Sequence, residues 1–119
     1  MTLPNAGVYL EPAAAHTFEH LFATYMRNSR FAGHIIYCGP MGCQTGFYFL
    51  VRDLSPEDSI ALVRESMDFI AAYEGEIPGA SRIECGNYKL HDLAGAKKIA
   101  ASMIPVLKDW DEAGLVYKK

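Results

Sequence analysis

From Ala13 to Arg30 the chain carries neither glycine nor proline, and Ala14, Phe18, Leu21, Phe22, Tyr25 and Met26 recur at the spacing of one helix face. A helix with such a stripe has to bury it, so the rest of the chain must supply a cover. His34 to Cys38 and Gly46 to Asp53 are β-prone runs on either side of a stretch containing Gly39, Pro40 and Gly42, the pattern of two strands around a turn. Ser55-Pro56-Glu57-Asp58 opens a second helix, with a capping hydroxyl, proline at the first helical position and acids at the positive end of the dipole. Ile60, Val63, Met67, Ile70 and Ala71 form its apolar stripe, which runs to Tyr73, and Gly75 ends it. Arg82 to Leu90 reads as a further strand, irregular at Cys85-Gly86. Asp92 caps a third helix that carries Leu93, Ala96, Ile99, Ala100 and Met103 inward, and Pro105 is expected to end or kink it. The first dozen residues have room for one short extended piece, around Val8 to Leu10. The expected class is α+β, an antiparallel sheet with helices packed on one face. No repeat or low-complexity tract divides residues 1–119, so a single domain is expected.

Charge narrows the partners. Lys plus Arg number 11 against 14 Asp plus Glu, a net charge of -3, whereas a binder of phosphate backbones carries the opposite excess; nucleic acid is not an expected partner. No apolar run approaches the roughly 18 residues that cross a bilayer, and Met1 to Glu11 lacks the basic flank and apolar stretch of a secretory signal. The expected location is the cytoplasm, with no membrane partner. Cys38, Cys43 and Cys85 are too few and odd in number for a disulfide scaffold, which leaves thiols available to a metal or a substrate. Half of the residues are hydrophobic, generous for a chain this small, so self-association is expected.

The chemistry centres on His16-Thr17-Phe18-Glu19-His20, an H-x-x-E-H sequence. At 100° per residue His16 and His20 lie about 40° apart and Glu19 about 60° to the other side of His16, so all three share one face, opposite Phe18, Leu21 and Phe22. Arg27 returns to that face about 20° from His16, three turns along. Two imidazoles at i and i+4 can ligate one divalent ion, and the carboxylate between them is placed to move protons. This composition yields only about 0.01 chance occurrences of the pattern. A catalytic site needs a third protein ligand, for which Cys85 and Cys43 are both candidates. Cys85 sits where glycine breaks a strand, and Cys43 lies on a glycine-rich turn that suits a thiol acting as acid or base. Cys38, flanked by Ile36 and Tyr37, reads as a small buried hydrophobe; His34 and His91 read as structural or surface residues.

Three blocks in this order resemble the S-ribosylhomocysteine lyase (LuxS) family, which makes the autoinducer-2 precursor of quorum sensing. They are His16-Thr17-Phe18-Glu19-His20-Leu21-Phe22-Ala23 with Met26-Arg27-Asn28, Pro40-Met41-Gly42-Cys43 with Thr45-Gly46-Phe47-Tyr48, and Cys85-Gly86-Asn87-Tyr88 ahead of a helix. The resemblance implies a LuxS-type, metallohydrolase-like α+β fold and a homodimer or higher homo-oligomer with sites at its interface. It also implies one divalent metal per chain, Fe²⁺ with Zn²⁺ or Co²⁺ as substitutes. By position it makes His16, His20 and Cys85 the metal ligands, Glu19 and Cys43 the acid/base pair, and Arg27, Met41, Gly42, Tyr37 and Gln44 the substrate-binding residues. The implied substrate is a small molecule, S-ribosylhomocysteine, cleaved to homocysteine and 4,5-dihydroxy-2,3-pentanedione by carbonyl migration and β-elimination.

Against the family pattern Tyr37 stands for an aspartate, Gly39 for a serine and Gln44 for an arginine, and the chain resembles a short form lacking the N-terminal segment. Strands without their neighbours there leave an open edge, from which at least a dimer is expected. Losing an arginine beside Cys43 removes a charge that favours the thiolate, so a less acidic thiol than elsewhere in the family is expected. Two other readings share the residues. A metallopeptidase would use the H-x-x-E-H face with an acidic third ligand, and a metal-binding relative of the lyase would act on another sugar thioether or have no activity.

Overall fold

The computed structural model describes residues 1–116. It contains, in chain order, α1 (Pro12–Arg27), β1 (Ile35–Pro40), β2 (Phe47–Val51), α2 (Pro56–Ala71) and α3 (Leu93–Leu107), with 3-10 turns at Ala32–His34 and Glu112–Leu115. The expected α+β class holds. Helix α1 is the hub and packs on β1, α2 and α3. Its Phe18, Leu21, Phe22 and Met26 are all but fully buried and meet Leu62, Met67 and Ile70 of α2 and Ala96 and Ala100 of α3. Taking each such large side chain out of water favours folding by about 1.5–3 kcal/mol. From β2, Phe47 and Phe49 reach the same core, with ring centroids 4.7 Å from Phe18 and 5.6 Å from Phe22.

The helix starts follow the cap residues. The Glu11, Ser55 and Asp92 side chains accept the backbone N–H of Ala14, Asp58 and Gly95 at 2.9, 3.1 and 2.9 Å. Helix α1 stops short of Arg30 because Asn28 Nδ2 donates to Thr24 O and Ser29 Oγ to Met26 O, which satisfies the last carbonyls. Strands β1 and β2 pair antiparallel, with Tyr37 opposite Leu50, Cys38 opposite Phe49, Gly39 opposite Tyr48 and Pro40 opposite Phe47. Gly39 and Pro40 therefore belong to the strand they were expected to end, and proline's missing N–H is tolerated at the strand's last position.

One other expectation is corrected. Arg82 to Leu90 forms no strand; its bonds are local turns, from Cys85 N to Ser81 O at 3.0 Å and from Leu90 N to Asn87 O at 3.1 Å. Val8 to Leu10 joins no strand ladder, and Leu10 N–H donates to Gln44 O at 2.8 Å. Pro105 lies inside α3, in its last turn, and the helix continues to Leu107. Arg64 of α2 covers that end, donating Nε to Leu107 O at 2.5 Å and Nη2 to Trp110 O. Among the described residues no helix is long and apolar enough to cross a membrane.

Candidate metal centre and adjoining cavity

Helix α1 presents His16 and His20 on one side, as their spacing requires, and the loop from α2 to α3 lies over them. His16 Nδ1 is 2.5 Å from Leu90 O and His20 Nδ1 is 2.7 Å from Pro78 O. A carbonyl only accepts, so both Nδ1 atoms carry a proton, which leaves Nε2 as the ring atom that can ligate. The two Nε2 atoms are 3.1 Å apart, and Cys85 Sγ stands 3.5 Å from that of His16 and 3.9 Å from that of His20. Ligands of a tetrahedral ion with bonds of about 2.0–2.3 Å are separated by about 3.3–3.6 Å, so this donor set fits a divalent metal. Gly79, at φ +68°, lets the loop pass close to His20: a Cβ there would stand 3.3 Å from Nδ1.

His91 joins the group. Donor atoms of His16, His20, Cys85 and His91 all lie within 4.8 Å of one another. The His91 ring stacks on His16, centroids 4.1 Å apart and planes 20° inclined, and meets His20 edge-on at 4.8 Å. Burial, with His16 and His20 beside it, holds its pKa below the ordinary imidazole value. The sequence set His91 aside for want of neighbours, since its partners lie on a helix far earlier in the chain. The one local signal is that it directly precedes Asp92, the cap of a helix that packs on α1.

Beside His16 opens a cavity of about 270 Å³, lined by His16 and Glu19 from α1 and by Met41, Gly42 and Gln44 from the turn between the strands. That turn is closed by Met41 N–H donating to Gly46 O at 2.9 Å, and Gln44 takes the left-handed conformation at φ +63°. A non-glycine residue held there costs about 1–2 kcal/mol, the kind of strain that a functional turn retains. Cys43 is at the exposed tip, its Sγ 2.9 Å from Thr45 Oγ1. That hydrogen bond lowers the thiol pKa from its ordinary value and so opposes the effect expected from Gln44. A larger cavity of about 600 Å³ between Phe47, Phe49, Val63 and Trp110 has no titratable side chain in its lining.

Of the residues singled out from sequence, the structure thus brings His16, His20 and Cys85 together, and Glu19, Met41, Gly42 and Gln44 around the adjoining cavity. Arg27, Tyr37 and Cys43 do not line it. Arg27 shares the angular position of His16 but lies about 16 Å further along the helix axis, which the angle alone does not register. It sits instead near Cys38, whose half-buried thiol is pushed up to about 11 by desolvation, with Arg27 opposing. His34 keeps the structural place expected of it, its Nδ1 3.0 Å from Arg52 O. The third donor is a thiol where a peptidase would have an acid.

Comparison with known proteins agrees with this geometry. The S-ribosylhomocysteinase (LuxS) family pattern matches residues 1–113. S-ribosylhomocysteine lyase from Phocaeicola vulgatus is 46% identical over 120 residues, covering 98% of this chain and 74% of that protein. The lyases of Finegoldia magna and Desulfotalea psychrophila are 42% and 43% identical, over 98% and 96% of this chain and 75% and 74% of their own lengths.

Proposed function

The chain belongs to the S-ribosylhomocysteinase (LuxS) family, and from that premise we propose that it is a carbon-sulfur lyase that cleaves S-ribosylhomocysteine to homocysteine and the autoinducer-2 precursor. The observation that carries this reading is the convergence of His16, His20 and Cys85 beside a cavity that also holds Glu19. In this reading residues 1–119 act as one cytoplasmic catalytic domain. It takes one divalent ion, iron by preference over zinc or cobalt, on His16, His20 and Cys85. When bound, the ion supplies Lewis acidity toward a carbonyl of the opened sugar.

The chain's own residues do the rest. Glu19 and Cys43 act as the acid/base pair: a proton is taken from the carbon beside the carbonyl and one is returned to the former carbonyl carbon, while the hydroxyl proton passes to the former carbonyl oxygen, so the carbonyl moves by one carbon along the sugar. Once it stands two carbons from the C–S bond, removal of the intervening proton breaks that bond, and sulfur leaves with the electron pair as homocysteine. The lowered pKa of Cys43 supports its part, since a thiolate is what can accept a proton. Met41, Gly42 and Gln44 hold the sugar in the cavity. Arg27 and Tyr37 meet substrate only outside that cavity, in a homodimer whose sites lie at the interface. Support for self-association comes from the outer sheet face, where Ile36, Tyr48 and Leu50 are each about half exposed or more, and from a sheet of two strands among the described residues.

The test is anaerobic purification with Fe²⁺, metal analysis, and an assay for homocysteine released from S-ribosylhomocysteine. We expect one ion per chain and a release rate that falls at least about 100-fold in Cys43→Ala and in Glu19→Gln. Bound metal without release in the unsubstituted protein rules out this substrate.

A further inference from the structure

His91 stands among the candidate ligands, yet its geometry is not that of a ligand. The lone pair of an imidazole nitrogen lies in the ring plane, so a ligated ion lies close to that plane too. His16 and His20 satisfy this together, because their rings are inclined by 85° and their Nε2 atoms converge at 3.1 Å. His16 and His91 do not. Rings whose centroids are 4.1 Å apart are too close to share one plane, and with planes inclined by only 20° no ion sits in both within bonding distance. The plane of the His91 ring therefore does not pass through the point on which the His16 and His20 lone pairs converge.

The hydrogen bonds around His91 assign its proton. Asp92 N–H donates to Thr17 Oγ1 at 2.9 Å, and Thr17 Oγ1 is 2.8 Å from His91 Nδ1. Thr17 is fully buried and has no other hydrogen-bond partner among the described residues. Its hydroxyl accepts from Asp92, and donating to His91 Nδ1 is the arrangement in which the buried hydroxyl proton has a partner among the described residues; it leaves the ring proton on Nε2. His91 Nε2 is buried and has no partner among the described residues. A buried N–H without an acceptor is costly to fold around, which is the mark of a donor kept for something that binds.

We infer that His91 is a hydrogen-bond donor and not a fourth ligand: its Nε2–H is presented to an oxygen of the sugar substrate at the His16, His20 and Cys85 centre, where negative charge develops as the carbonyl migrates. The inference rests on the lyase reading for the identity of that oxygen. Thr17 is then a positioning residue, which holds the His91 tautomer through Nδ1, and the stack on His16 fixes the ring that carries the donor.

Three variants, followed by Co²⁺ binding, turnover and the ¹⁵N tautomer, test this. His91→Phe keeps an aromatic ring against His16 and removes the donor, His91→Gln keeps an N–H near the same place, and Thr17→Val removes the proton that Nδ1 accepts. In the Co²⁺-loaded chain the visible ligand-field spectrum and the Co²⁺ affinity should be unchanged in His91→Phe. Its kcat on S-ribosylhomocysteine should fall about 100-fold at similar KM, with partial recovery in His91→Gln. The ¹⁵N spectrum of the unsubstituted chain should show His91 as the Nε2–H tautomer, and Thr17→Val should shift it toward Nδ1–H.

A changed Co²⁺ spectrum or a tenfold loss of Co²⁺ affinity in His91→Phe would make His91 a ligand and overturn the inference. Full turnover in His91→Phe, or an Nδ1–H tautomer in the unsubstituted chain, would overturn it as well. If the unsubstituted chain releases no homocysteine, the lyase reading fails by itself, and the Co²⁺ spectrum and the tautomer still decide for or against His91 as a donor.

Discussion

The Tyr37 ring lies across Gly39, with its hydroxyl in the space that a Cβ on Gly39 would occupy. Both residues are on the outer face of β1, opposite Leu50 and Tyr48. The glycine is buried by the tyrosine although it faces outward. A side chain at position 39 has to displace the ring, so Gly39→Ser should destabilise the fold by about 1–2 kcal/mol in urea unfolding. With Tyr37→Asp already in place the same substitution should cost little, and the pair should be non-additive by at least about 0.5 kcal/mol. Additive effects would show that the ring does not depend on the missing Cβ.

Thr45 should control the reactivity of Cys43. Its hydroxyl stabilises the thiolate and holds the pKa down, so Thr45→Val raises that pKa and lowers the thiolate fraction at any pH below it. Alkylation of Cys43 by iodoacetamide at pH 7, followed residue by residue in the mass spectrum, should slow severalfold in the variant. Cys38, with its thiol at about 11, should stay unlabelled in both proteins while the fold is intact. An unchanged pH profile for Cys43 would remove Thr45 from this role.

The Arg30 guanidinium grips Glu65 through Nη1 and Nη2 at 2.8 and 3.0 Å, and Tyr25 donates its hydroxyl to the same carboxylate at 3.1 Å. Arg30 first, with Tyr25 adding to it, holds the Glu65 pKa below the ordinary carboxylate value. A depressed folded-state pKa contributes stability above the unfolded value of about 4.3, and that contribution is lost as pH falls through the lowered folded value. Both side chains are well exposed, 54% and 39%, so solvent screens the pair and the contribution is small. Glu65→Gln should therefore lower stability slightly at pH 7, and the two unfolding curves should converge in acid; a gap that widens as pH falls would contradict the assignment.

Much of the site can be read locally. His16, Glu19 and His20 share a face because a helix repeats every 3.6 residues, and Ser55 and Asp92 start helices because a short polar side chain satisfies an orphan N–H. The third donor came only as a choice between two cysteines until the resemblance to a family pointed to Cys85. Arg82 to Leu90 misled the strand reading because its bonds are turns that no periodicity announces. What put that segment over His16 and His20 is the packing of α3 on α1, so close that a Cβ on Gly95 would stand 2.7 Å from the Cβ of Ala14.

By itself, then, the sequence determined the helices, the two strands and the paired histidines, all set by hydrogen bonds and side-chain spacing within a few residues. Tertiary structure alone decided that Leu90 and Pro78 orient those histidines, that Cys85 meets them, and that His91 stacks beside them with an unpartnered Nε2. The reason is physical. Those contacts join residues about half the chain or more apart, and their geometry is set by how tightly the helices approach, which no local pattern encodes.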